Sequence, residues 1–131
     1  MGACFFMEEM KRKPIIAVDF DGTLCTECYP GIGAPNEPLI RWLIRERTRG
    51  SRLILWTCRC GELLVEAVLW CGKQGLYFEE INENLTEIKM QYGSNARKIY
   101  ADLYIDDRAC KPDGLLQLEN QYISKIQKGN R

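Results

Sequence analysis

The chain has no histidine, and that absence closes several chemical routes. Ser-His-Asp and Cys-His nucleophile systems need imidazole as their base, and the same ring is the commonest metal ligand. Charge of one sign is also missing, since 18 basic residues balance 18 acidic ones. No basic surplus therefore argues for a nucleic-acid partner. Nor does any run approach the roughly twenty apolar residues that cross a bilayer. At the N-terminus, MGACFFMEEMKRKP, the charges follow the apolar residues, the reverse of a secretory signal. Gly2 and Cys4 hint at acylation, but Phe6 stands where the myristoylation pattern takes Ser or Thr. Residues 1–13 are expected to be a flexible lead-in to a single domain over 14–131. A cytoplasmic location with no membrane partner is the corresponding expectation.

Other absences narrow the field further. No GxxxxGK[ST] is present, so a P-loop kinase is excluded. None of the seven cysteines has an arginine six positions later, which excludes a cysteine phosphatase. Their odd number and the lack of an export signal argue against a disulfide framework. Chemistry must come from carboxylates, Lys, Ser/Thr, Cys or a hard cation.

What is there alternates between strand and helix, the pattern of a parallel α/β sheet. Ile15–Val18 is a continuous apolar run before a glycine turn, as for a strand covered on both faces. Asn36 caps a predicted helix over 37–49, with Pro38 in its first turn and Gly50 closing it. RLILW, 52–56, reads as a second strand, and 61–74 as a second helix ending at Gly75. A short third strand is expected within 76–81, and a short helix over 85–92 capped by Asn84. ADLYI, 101–105, is the fourth strand, and 114–128 a closing helix.

Three of these strands end in polar residues. The first delivers Asp19 and Asp21, the second Thr57, and the fourth Asp106 and Asp107. Ligands of open parallel sheets bind outside such strand ends, where the strand order reverses. Carboxylates gathered there repel one another unless a hard divalent ion with oxygen ligands sits among them, and Mg²⁺ is the usual choice beside a phosphate.

DFDGTL, the strand ending in Thr57, Lys98 and IDDRA together resemble the four motifs of the haloacid dehalogenase superfamily of phosphohydrolases, over roughly 14–109. The resemblance implies a three-layer Rossmann-like core and a Mg²⁺-dependent phosphatase working through an aspartyl-phosphate. Asp19 would be the nucleophile and Asp21 the general acid and base. Lys98 would set a positive charge against nucleophile and phosphoryl group. It lies eight residues before Asp106, with Lys89 and Arg97 as rivals for that role. Thr57 would bind a phosphoryl oxygen, and Gly22, Cys58 and Arg59 are further expected substrate contacts, although a surface position suits Arg59 nearly as well. Asp106 and Asp107 would hold Mg²⁺ together with Asp19 and the Asp21 backbone carbonyl.

ADLYIDDR also resembles the corresponding segment of the 5′(3′)-deoxyribonucleotidases, which tilts the substrate weakly toward nucleotides. Those enzymes insert a helical cap after the first motif, whereas here only 35 residues separate Asp21 from Thr57. A capless, open site is expected. It suits a phosphorylated small molecule, a macromolecular end, or a substrate enclosed by a second subunit of a homo-oligomer. The loop CTECYPGIGAPN would form a small flap with Tyr29 and Ile32 facing the substrate. Two rival readings stand beside this one: a structural Zn²⁺ held by Cys25, Cys28, Cys58 and Cys60, and a non-catalytic binding module on the same fold.

Overall fold

The computed structural model describes residues 13–114. The expected lead-in, up to residue 12, and the closing helix expected beyond Gly114 lie outside them. Four parallel strands form one sheet: β1 (Ile15–Val18), β2 (Arg52–Leu55), β3 (Glu80–Ile81) and β4 (Leu103–Ile105), in the order β3-β2-β1-β4. The helices are α1 (Glu37–Thr48), α2 (Gly61–Lys73) and α3 (Thr86–Tyr92). This is a three-layer, Rossmann-like α/β core with a central parallel sheet.

Strand direction and crossover handedness explain the layers. Going from β1 to β2 to β3 the chain moves one way across the sheet, so right-handed crossovers put α1 and α2 on the same face. From β3 the chain returns past β1 to β4, and α3 falls on the opposite face. The two cores follow. Ile16, Val18, Leu53 and Leu55 pack against Ile40 and Leu43 of α1 and Ala67 and Cys71 of α2. Ile15, Ala17 and Ile54 pack against Ile88 of α3, with Leu85, Ile99 and Ala101. Each fully buried aliphatic side chain contributes about 1.5–3 kcal/mol. All four residues of β1 are buried, which is why it reads as an unbroken apolar run.

Register brings the functional ends level. Val18 pairs with Leu55 on one side and Ile105 on the other, so Asp19, Trp56 and Asp106 emerge in one row. The row is pinned by the Asp19 amide donating to Ile105 O (2.9 Å) and the Trp56 amide to Val18 O (2.8 Å). Because strand order reverses between β1 and β4, a crevice opens above that pair.

The elements expected within the described residues all exist, with three differences. Asn36 caps α1 as expected, its side chain accepting from the Leu39 amide. The third strand shrinks to two residues, because Leu76 and Phe78 turn into the α1/α2 core. There the Glu79 carboxylate accepts the Leu53 amide at 2.6 Å, standing in for a strand carbonyl. Asn84 does not cap α3; Leu85 holds that position. Instead Asn84 is buried, accepting from the Tyr100 amide (2.7 Å) and donating to Asn95 Oδ1 and Ala96 O. Finally, β4 starts at Leu103 because the Asp102 carboxylate takes the Ile15 amide at 2.7 Å. The described residues contain no cap domain, and no helix among them is long and apolar enough to cross a membrane.

Candidate active site

Asp19 leaves β1 and Asp106 leaves β4 side by side, and Asp107 follows in the next turn. One carboxylate oxygen from each of the three lies within 4.8 Å of the others. Thr23, buried, ties the group together: its hydroxyl donates to Asp19 Oδ2 (3.0 Å) and accepts from the Asp107 amide (3.0 Å). Gly22 makes the closeness possible. It sits at φ +80°, and a Cβ there would fall 2.3 Å from Asp107 Oδ2. Its lack of a side chain makes room for Asp107.

A carboxylate that is buried beside another negative charge holds its proton more firmly than usual. Burial, and then the Asp106 charge, push Asp19 up to about 6. Burial and the neighbouring Asp106 likewise push Asp107 upward. A hard cation relieves this repulsion, and the ligand set is all oxygen, so the three side chains fit Mg²⁺. The Asp21 carboxylate is not part of the trio; the sequence reading asks only its backbone carbonyl of the ion.

The Asp21 carboxylate instead meets Arg59 in a bidentate pair, Nε to Oδ2 at 2.9 Å and Nη2 to Oδ1 at 2.8 Å. The Arg59 side chain is fully buried. Its remaining donors go to backbone carbonyls: Nη2 to Gly31 O (2.6 Å), and Nη1 to Pro30 O (3.2 Å) and Leu63 O (3.4 Å). Its charge centre lies 4.9 Å from the Phe20 ring centroid and 5.3 Å from that of Tyr29. Hydrogen bonding to Asp21 holds the guanidinium proton more firmly than usual. Arg59 is thus neither a surface residue nor free to grip a phosphate.

An open cavity of about 360 Å³ lies over these residues. Asp19, Asp106, Asp107, Asp21 and Thr57 line it on the sheet side. Thr57 is placed as expected, its amide donating to Asn82 Oδ1 (2.8 Å) and its hydroxyl oxygen accepting from the Arg59 amide (3.1 Å). The hydroxyl proton stays available to a ligand. Cys58 also lines the cavity and is exposed.

Lys98 does not line the cavity. Its ammonium lies 6.0 Å from the Tyr104 ring centroid, on an exposed turn. Its rival Lys89 is engaged by Glu83. Besides Arg59, whose donors are already engaged, the basic residue lining the cavity is Arg108, whose amide donates to Asp106 Oδ1 at 2.9 Å. Sequence reasoning passed over Arg108 and Thr23, although both stand inside the quoted motifs IDDRA and DFDGTL.

The flap over Cys25–Asn36 is present as a short hairpin, closed by the Thr26 amide on Ala34 O (2.9 Å) and the Asn36 amide on Leu24 O (2.8 Å). Tyr29 lines the cavity, whereas Ile32 packs into the α1/α2 core. The zinc reading fails on geometry. Cys25 is buried, its thiol pushed above the ordinary range by burial. Among the described residues the acid trio is the metal-competent cluster, and no gathering of thiols accompanies it.

The fold and the site define an α/β protein with an acidic, cation-competent crevice at the reversal point of a parallel sheet. Among solved structures, a conserved protein from Bacteroides thetaiotaomicron is 36% identical over 88% of this chain and 98% of its own, with a TM-score of 0.67. The chain belongs to the same family as that protein. No protein-family model and no curated protein matches it.

Proposed function

We propose that the protein is a Mg²⁺-dependent phosphomonoesterase of the haloacid dehalogenase type, with Asp19 as nucleophile. One observation carries this reading: Asp19, Asp106 and Asp107 converge on one point at the mouth of an open cavity that also holds Thr57. Asp19, Asp106 and Asp107 would hold the ion, with the Asp21 carbonyl as a further oxygen ligand. When bound, Mg²⁺ supplies charge neutralisation that lets an anionic phosphate approach anionic carboxylates.

Asp19 attacks phosphorus with a carboxylate oxygen, and the bond to the leaving oxygen breaks. Thr23 donates to Asp19 Oδ2 and so fixes which oxygen faces the cavity. Thr57 donates its free proton to a phosphoryl oxygen, and Arg108 stands on the cavity wall as the local positive charge. Asp21 protonates the leaving oxygen and later takes a proton from the water that hydrolyses the aspartyl-phosphate. Its bidentate contact with Arg59 fixes where that carboxyl stands. The open cavity suits a phosphorylated small molecule or an exposed macromolecular phosphate.

Purified protein should release phosphate from 4-nitrophenyl phosphate only with Mg²⁺, lose the activity in EDTA, and regain it when Mg²⁺ is returned. Asp19→Asn should lower turnover by about three orders of magnitude or more, the scale for loss of a nucleophile. No release from a broad panel of phosphomonoesters would reject the reading in favour of a binding module.

A further inference from the structure

The cavity has two unlike walls. One is the acid trio with Thr57, at the strand ends. The other belongs to the flap, where Glu27 and Tyr29 face the same space. Tyr29 is 56% exposed, so much of its ring is open to a ligand in that space.

An exposed tyrosine on a loop is ordinarily mobile, but this one is fixed from behind. Arg59 lies over its inner face at 5.3 Å while bonding the carbonyls of the next two residues, Pro30 and Gly31. The Tyr29 amide reaches Glu27 Oε1 at 3.4 Å. The hairpin beneath leaves no slack: a Cβ on Gly33 would fall 2.1 Å from Thr26 Oγ1, and that hydroxyl accepts the Ala34 amide at 2.9 Å. Behind Arg59 the Phe20 ring packs edge-on against Trp70 at 5.6 Å. A rigid column therefore runs from core to cavity and ends in an open ring face. Holding a ring in place before binding removes the entropy cost of ordering it.

From this we infer that Tyr29 is a stacking platform for the group that carries the phosphate, so the preferred substrates are phosphomonoesters of planar aromatic compounds. The inference rests on the phosphatase reading and adds the substrate class. Arg59 acts as the positioning residue of the platform. Glu27, anionic beside it, disfavours substrates bearing a second negative charge near the ring.

The test uses two esters whose leaving alcohols have similar basicity and size, benzyl phosphate and cyclohexylmethyl phosphate, with the full chain and Mg²⁺. Benzyl phosphate should have a kcat/KM higher by about tenfold, the scale of one aromatic stacking contact, expressed mainly in KM. Tyr29→Ala should bring the ratio close to one by raising KM for the benzyl ester, and Tyr29→Phe should restore it, because the ring and not the hydroxyl is used. O-phosphotyrosine and a nucleoside 5′-monophosphate distinguish a ring on the ester oxygen from one a sugar away. Tyr29-dependent KM for either supports the platform. A ratio near one in the wild-type protein, or one that survives Tyr29→Ala, overturns the platform and leaves the phosphatase reading standing. No hydrolysis of any of these esters overturns both.

Discussion

Asp19 and Asp21 sit two positions apart in one motif, yet their surroundings differ in kind. Asp19 faces two further acids, with only the Thr23 hydroxyl and the Phe20 backbone to relieve it, and burial and the Asp106 charge push it up to about 6. Asp21 faces a fully buried guanidinium that grips both its oxygens. The first is an excess of negative charge among the described residues, which a bound cation can neutralise. The second is charge balanced internally, which serves geometry. An unbalanced cluster marks where a ligand belongs, and a balanced pair marks what holds the site in shape.

The contrast can be broken from the Asp21 side. Arg59→Met should cost about 3–5 kcal/mol in urea unfolding, because it strands a partly buried carboxylate and three carbonyls. Asp21→Asn should also destabilise, since it leaves the Arg59 charge buried without a partner. From sequence this substitution looks like a clean test of proton transfer that spares the fold, whereas the buried pair predicts a loss of stability as well. The double variant should cost less than the sum of the two, as expected for one coupled pair. A loss below about 1 kcal/mol for Arg59→Met would match a solvated surface pair instead.

Next comes the Asp19 side, where pH sharpens the difference. The folded chain keeps the Asp19 proton up to about 6, against 3.8 for an ordinary carboxyl. In that window the folded state binds more protons than the unfolded one, so without metal the stability should fall as pH rises from about 4 to 6. Protons and cation compete for the same oxygens, so Mg²⁺ should raise Tm more at pH 7.5 than at pH 5. Asp19→Asn should flatten the pH slope. An equal Mg²⁺ shift at both pH values would mean that the ion binds elsewhere.

The smallest effect belongs to Lys98. Exposed and away from the cavity, it should tolerate Lys98→Ala within about 0.5 kcal/mol of stability and with little change in turnover. Arg108→Ala should raise KM clearly in the same assay. The reverse ranking would restore Lys98 to the site.

Much of this architecture could be read from the residues. The apolar run before DFDGTL, the Asn36 cap and the helical spacing are local signals, and they placed the elements within a few residues. The acid trio was legible too, because parallel pairing makes strand ends level. What escaped depends on distant partners. Arg59 is buried because three carbonyls from two separate segments and a carboxylate 38 positions away meet around it, and nothing beside it announces that. Asn84 resembles a helix cap by type, yet its donors and acceptors are used by the segment leading to β4. The third strand was overdrawn because Leu76 and Phe78 carry the same apolar signal whether they pair in a sheet or turn into a core.

The substitution of the Glu79 carboxylate for a strand carbonyl has a consequence for how copies of the molecule meet. The Leu53 amide is capped by a side chain, and Arg47 engages the same carboxylate from outside at 2.8 Å. With β3 only two residues long, an incoming chain finds almost no ladder to extend there. This border of the sheet resists fibrous self-association through electrostatics and brevity, with no proline needed.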